Sequence, residues 1–93
     1  MAPEKAAGEE LSMRLRRLRY RAWHRGTREM DLMLGPYADA KLPAMPAVEL
    51  DRFEVLLEEM DTDLLDWLMG NLSIPPDADH QLLADILAFK IAS

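Results

Sequence analysis

Seven arginines stand between positions 14 and 28, and residues 14–29 contain no lysine. A planar guanidinium gives paired hydrogen bonds to carboxylate or phosphate, which an ammonium cannot imitate. The chemistry on offer is therefore recognition. The run ends in Arg25-Gly26-Thr27-Arg28-Glu29, where a glycine between charged groups lets backbone approach a partner that a side chain would keep away. Three readings fit the arginines: a contact surface for an acidic protein or phosphate-bearing ligand, a solvated helix face, or a nucleic-acid patch. Nucleic-acid binding wants aromatic or polar groups among the cations, and only Tyr20 and Trp23 interleave.

Residue types that break bonds are sparse. The two histidines, His24 and His80, are 56 positions apart, and cysteine is absent. Ser12, Ser73 and Ser93 sit in a helix-like stretch, a loop-like stretch and at the end of the chain, none in a nucleophile-elbow context. No His-Glu-x-x-His spacing exists to hold zinc. The acidic run Glu58, Glu59, Asp61, Asp63, Asp66 lacks the glycine and spacing of a calcium loop and reads as capping plus a solvated face.

Charge is polarised along the chain. Residues 1–29 hold eight Lys/Arg against four Asp/Glu, while residues 30–93 hold three against thirteen, for a net −6 overall. That balance counts against general nucleic-acid binding. Ninety-three residues make one thin-cored domain, with little volume for a deep catalytic pocket. No segment approaches the ~20 apolar residues of a membrane span. No apolar stretch near Met1 resembles a secretory signal, and Glu4, Glu9 and Glu10 speak against a mitochondrial presequence. Residues 1–8 read as a mobile tail and residues 9–93 as the domain.

The elements that must position the arginine junction are helical. Leu11, Leu15, Leu18 and Ala22 form one stripe on a helix over about residues 9–24, with the arginines on the other faces. Gly26 stops it. Met30, Met33, Leu34, Tyr37 and Ala38 make a second stripe over residues 27–41, with a kink or break expected at Gly35-Pro36. After a connector over residues 42–46, a third helix is expected over residues 47–60 with Leu50, Phe53, Leu56, Leu57 and Met60 inward. Asp61 is placed to cap a fourth helix carrying Leu64, Leu65, Trp67, Leu68 and Met69, which ends near Gly70. Asp77 or Asp79 caps a fifth, with Leu82, Leu83, Ile86, Leu87 and Ile91 buried. The expectation is an all-α fold, a compact bundle of about five short helices.

Two blocks carry a family resemblance. Residues 17–35, RLRYRAWHRGTREMDLMLG, combine a basic aromatic helix, an RGxxE string and an apolar helix. Residues 53–69, FEVLLEEMDTDLLDWLM, fit F-x-x-L-L-E-x-x-D-x-D-L-x-x-W-L. In this order and spacing they resemble the SdhE family of flavinylation and assembly factors for succinate dehydrogenase. The resemblance implies a five-helix bundle that is not an enzyme and holds no cofactor of its own. It would bind the flavoprotein subunit of succinate dehydrogenase, and in bacteria fumarate reductase, and promote covalent attachment of FAD to a histidine there. Carried over by position, Arg25, Gly26 and Glu29 are the functional motif, with Arg28 and Asp31 beside them. Arg25 would pair with partner carboxylate or carbonyl groups, and Glu29 would orient Arg25 or Arg28 or touch the partner. Thr27 departs from the methionine of many relatives, at a variable position. A monomer in the bacterial cytoplasm, or in the mitochondrial matrix of a eukaryote, is expected. The rival readings are a small nucleic-acid-binding regulator and a structural subunit of a larger complex.

Overall fold

The structure, a computed structural model, describes the backbone of residues 3–92 and the side chains of residues 10–92. The mobile tail expected over residues 1–8 lies outside the residues described with side chains. Five helices follow one another: α1 (Pro3–Trp23), α2 (Arg28–Lys41), α3 (Ala47–Leu56), α4 (Asp61–Leu68) and α5 (His80–Ala92), with a 3₁₀ turn at Leu42–Ala44.

The second stripe is the centre of the molecule. Met30, Met33, Leu34, Tyr37 and Ala38 are all buried, and α2 lies between α1, which contributes Leu18 and Ala22, and α5, which contributes Leu82, Leu83 and Ile86. Leu50, Phe53 and Leu56 of α3 and Leu64 and Leu68 of α4 complete the core. The expected break at Pro36 is not there, and α2 runs unbroken through it. Pro36 withholds a donor from the carbonyl of Leu32, a solvent-exposed residue whose carbonyl can turn to water.

Gly35 is needed for a different reason. The Trp23 indole lies flat against it, and a methyl group there would overlap Cδ2 and Cε2 of the ring. Trp23 is further held by its Nε1–H, which donates to Asp39 Oδ2 at 3.1 Å, while Arg19 donates to Asp39 Oδ1 at 3.1 Å. Gly35→Ala gains about 1 kcal/mol of helix propensity and loses more by expelling the indole, as overpacking costs about 1–3 kcal/mol. The expected result is a thermal midpoint lower by roughly 5 °C and red-shifted tryptophan emission. A variant as stable as the native chain with unchanged emission would contradict the packing described.

Several expectations at element ends are corrected. α3 stops at Leu56, four residues short of Met60, and Met60 is exposed. Met69 and Ile91 also face solvent, Leu11 is half exposed, and Trp67 is only partly buried against the core. Met60 takes the N-cap position of α4 and Asp61 is its first helical residue, with its carboxylate used elsewhere. Gly70 has φ +77°, which closes the end of α4 as expected of a left-handed glycine.

Asp79 is the cap of α5. Its Oδ1 accepts from the Leu82 N–H at 3.0 Å. Arg52 reaches from α3 to grip both its oxygens at 2.7 Å. These bonds to Arg52, with the Leu82 bond, hold the carboxyl below its ordinary range against the opposing effect of burial. The folded state therefore binds fewer protons than the unfolded chain near pH 4, so this contribution is complete above the ordinary aspartate pKa of about 4 and is lost as pH falls through the lower folded value. Native protein should lose thermal stability below about pH 4 more steeply than Asp79→Asn, with the two curves converging at the acid end. Parallel curves would show that the grip does not stabilise the fold.

Candidate functional site

The arginine run ends where α1 and α2 meet. His24 N–H still reaches the Arg21 carbonyl at 3.4 Å, and then the chain turns over residues 24–27. Gly26 makes the turn at φ +109°, a conformation that side-chain-bearing residues rarely adopt. Thr27 caps α2, its hydroxyl accepting the Met30 N–H at 3.3 Å. Glu29 and Asp31 lie in the first turn, where negative charge meets the positive end of the helix dipole.

The junction is braced from three sides by Arg25. Its Nε donates to Asp61 Oδ1 at 2.7 Å, and its two terminal nitrogens donate to the carbonyls of Leu57 and Glu59 at 2.8 and 2.9 Å. Its backbone N–H donates to Asp31 Oδ1 at 2.6 Å. The guanidinium is only 10% exposed and the Asp61 carboxylate 22%, so solvent screens this pair less than a surface one. One side chain thus occupies carbonyls where α3 unwinds and the first carboxylate of α4. The helix end that sequence placed at Met60 lies in this bracing.

Each motif residue now has a place. Gly26 is exposed, and a Cβ there would stand 3.8 Å from Asp61 Oδ2, an ordinary contact, so the site is limited by backbone conformation and not by crowding. Arg28 and Glu29 are exposed on the outer side of α2, with no hydrogen bond or ion pair to described residues. Two expectations are corrected. Arg25 does not stand free for a partner, because each of its three side-chain nitrogens already donates within the chain. Glu29 does not orient Arg25; Asp31 does, through the backbone. Asp61 and the carbonyls of Leu57 and Glu59 were missed as part of the site. Of the acidic run read as capping plus a solvated face, Asp61 takes Arg25 in the turn after α1, and Glu58, still exposed, pairs with Arg21 of α1 at 2.6 Å.

Two depressions of the surface lie away from the Gly26 turn. One of about 470 Å³ runs between α3, α4 and the chain before α5, with Val48, Val55 and Trp67 on its walls. The other, about 580 Å³, lies between α2 and α5, where Lys41 sits 5.7 Å from the centre of the Phe89 ring. Burial pushes the Tyr37 phenol up, so it is protonated at neutral pH and offers no base. Among the described residues no group of three His, Cys, Asp or Glu could hold a metal ion, and no helix is long and apolar enough to cross a membrane.

Fold and junction together define a small helical scaffold that displays one braced glycine turn. Residues 16–90 match the family described as Sdh5, flavinator of succinate dehydrogenase, and the chain belongs to that family. It is 44% identical over 77 residues to the FAD assembly factor SdhE of Acetobacter pasteurianus, covering 83% of this chain and 71% of that one. It is 36% and 35% identical to the mitochondrial succinate dehydrogenase assembly factor 2 of Kluyveromyces lactis and of Komagataella phaffii, over 91% and 92% of this chain. The chain spans about half the length of those two relatives, 52% and 45%.

Proposed function

We propose that this protein binds the flavoprotein subunit of succinate dehydrogenase and promotes covalent attachment of FAD to it, and that it serves the fumarate reductase flavoprotein in the same way where one is present. The observation that carries the reading is the Gly26 turn: exposed, free of a side chain, flanked by the uncommitted Arg28 and Glu29, and held in place by Arg25. A surface of this kind can dock without rearranging. The protein is a positioning factor and not a catalyst, and it keeps no cofactor for itself.

Attachment joins the ring methyl carbon of the flavin to an imidazole nitrogen of the flavoprotein. Methyl and imidazole each give up a proton, and the electron pair passes to the flavin ring, which an external acceptor such as dioxygen reoxidises. Holding the two reacting atoms in near-attack geometry lowers such a barrier by several kcal/mol without adding a chemical group. In this account the docked bundle fixes the domains of the flavoprotein around its FAD. The work belongs where that subunit acquires FAD, the bacterial cytoplasm or the mitochondrial matrix of a eukaryote.

Co-expression of the flavoprotein subunit in a host deleted for its own assembly factor, with and without this chain, tests the proposal. Covalent flavin in the subunit should rise from a trace to most of the protein when the chain is present. An unchanged trace, with the subunit folded and FAD supplied, would refute it.

A further inference from the structure

The seven arginines of residues 14–28 divide sharply once their partners are known. Arg14 is held by Asp51 and Glu54, Arg19 by Asp39, Arg21 by Glu58 and Arg25 by Asp61. Arg16, Arg17 and Arg28 make no ion pair with the described residues. Arg16 and Arg17 share the outer face of α1 with Met13, 63% exposed, and Tyr20, 64% exposed. Together with the edge of Arg21 they line a shallow depression of about 400 Å³. Tyr20 is not loose: its ring stacks on His24 at 3.9 Å between centroids and 18° between planes, and His24 Nδ1 lies 2.7 Å from the Tyr20 carbonyl oxygen. This stack carries the face along α1 to within two residues of Gly26.

Composition distinguishes this face from a merely solvated one. Residues 13–24 contain no Lys, Asp or Glu. Interface cores favour Met, Tyr and Arg and are depleted in Lys, Asp and Glu. Fourteen acidic residues follow in the chain, yet those described leave Arg16 and Arg17 without a counter-charge. The depression, with five lining residues, is too small for a stable interface alone, which takes roughly 20–30 residues on each partner. It suffices as an extension of a larger docking surface.

We infer that the outer face of α1 is a second contact of the Gly26 surface: Arg16 and Arg17 receive carboxylates on the flavoprotein, and Met13 and the stacked Tyr20 cover the apolar part of that segment. This rests on the proposed function. A net charge of −6, and two unpaired cations on the face among the described residues, leave nucleic acid a poor occupant.

The test is affinity for the purified apo-flavoprotein subunit of succinate dehydrogenase, measured at low and moderate salt. The chains are the native one, Arg16→Glu/Arg17→Glu, Arg16→Lys/Arg17→Lys and Tyr20→Ala. These side chains are exposed, so circular dichroism should show all variants folded. Charge reversal should weaken binding about tenfold or more, chiefly through slower association, and flatten its salt dependence. The lysine variant should fall between it and native, and Tyr20→Ala should weaken binding at both salt concentrations. Native affinity and salt dependence in the reversal variant would overturn the inference and leave the proposed function standing. No binding by the native chain would overturn both. Native self-association abolished by the reversal would overturn it by giving the face to a second copy. Duplex DNA bound by the native chain and lost on reversal would overturn it in favour of nucleic acid.

Discussion

Arg25→Ala should unfold roughly 10 °C below the native chain, although no apolar core residue is removed. Each hydrogen bond to a charged group contributes about 1.5–3 kcal/mol, less where water can replace the partner. Arg25 makes three such bonds with its side chain nearly enclosed, so a net loss of about 2 kcal/mol is expected even after water reaches the freed carbonyls. Asp61→Ala should cost less, because its carboxylate is partly solvated and Arg25 keeps both carbonyls. The double variant should be little worse than Arg25→Ala alone, since the two share one bond network. Arg25→Lys should resemble Arg25→Ala, as one ammonium cannot span Asp61 and two carbonyls. The decisive comparison is thermal unfolding of the native chain and all four variants. If Arg25→Ala melts with the native chain yet fails to act on the flavoprotein, Arg25 is a partner contact and the brace does not matter.

Gly26→Arg and Gly26→Ala should be nearly equal in stability and very unequal in function. Both force a side-chain-bearing residue to φ +109°, which costs about 1–3 kcal/mol. Small domains hold about 5–15 kcal/mol, so both variants stay folded. The alanine methyl stands in open space beyond its contact with Asp61 and hinders a partner little. The arginine projects from an exposed turn into the path of approach. Flavinylation should therefore survive in part with Gly26→Ala and vanish with Gly26→Arg. Equal loss in both would mean that the glycine is needed for its backbone shape and not for close approach.

The sequence speaks most clearly where signals are local. The α2 stripe is buried at every position expected of it, Asp79 caps α5, and Gly70 closes α4. Each rests on residues within a turn or two of one another. The missed features come from distance. Nothing near Met60 announces that α3 ends at Leu56, because the guanidinium that meets the end comes from 32 residues upstream. Asp61 has the type and place of a helix cap, and only the fold reveals that Arg25 takes its carboxylate. The arginine run looks uniform in sequence, and its division into engaged and free members depends on which acids of α2, α3, α4 and the turn between α3 and α4 come within reach. Gly35 carries no local mark of the Trp23 ring that lies on it.

One measurement reaches the central claim directly. Purified apo-subunit of the succinate dehydrogenase flavoprotein is incubated with FAD alone, with the native chain, with Gly26→Arg and with Glu29→Ala. The samples are denatured and run on a gel, and flavin fluorescence is read in the subunit band. A band that strengthens with the native chain and stays at the FAD-alone level with both variants is the predicted result. Equal bands in every lane, from a subunit shown able to accept flavin, would contradict the account.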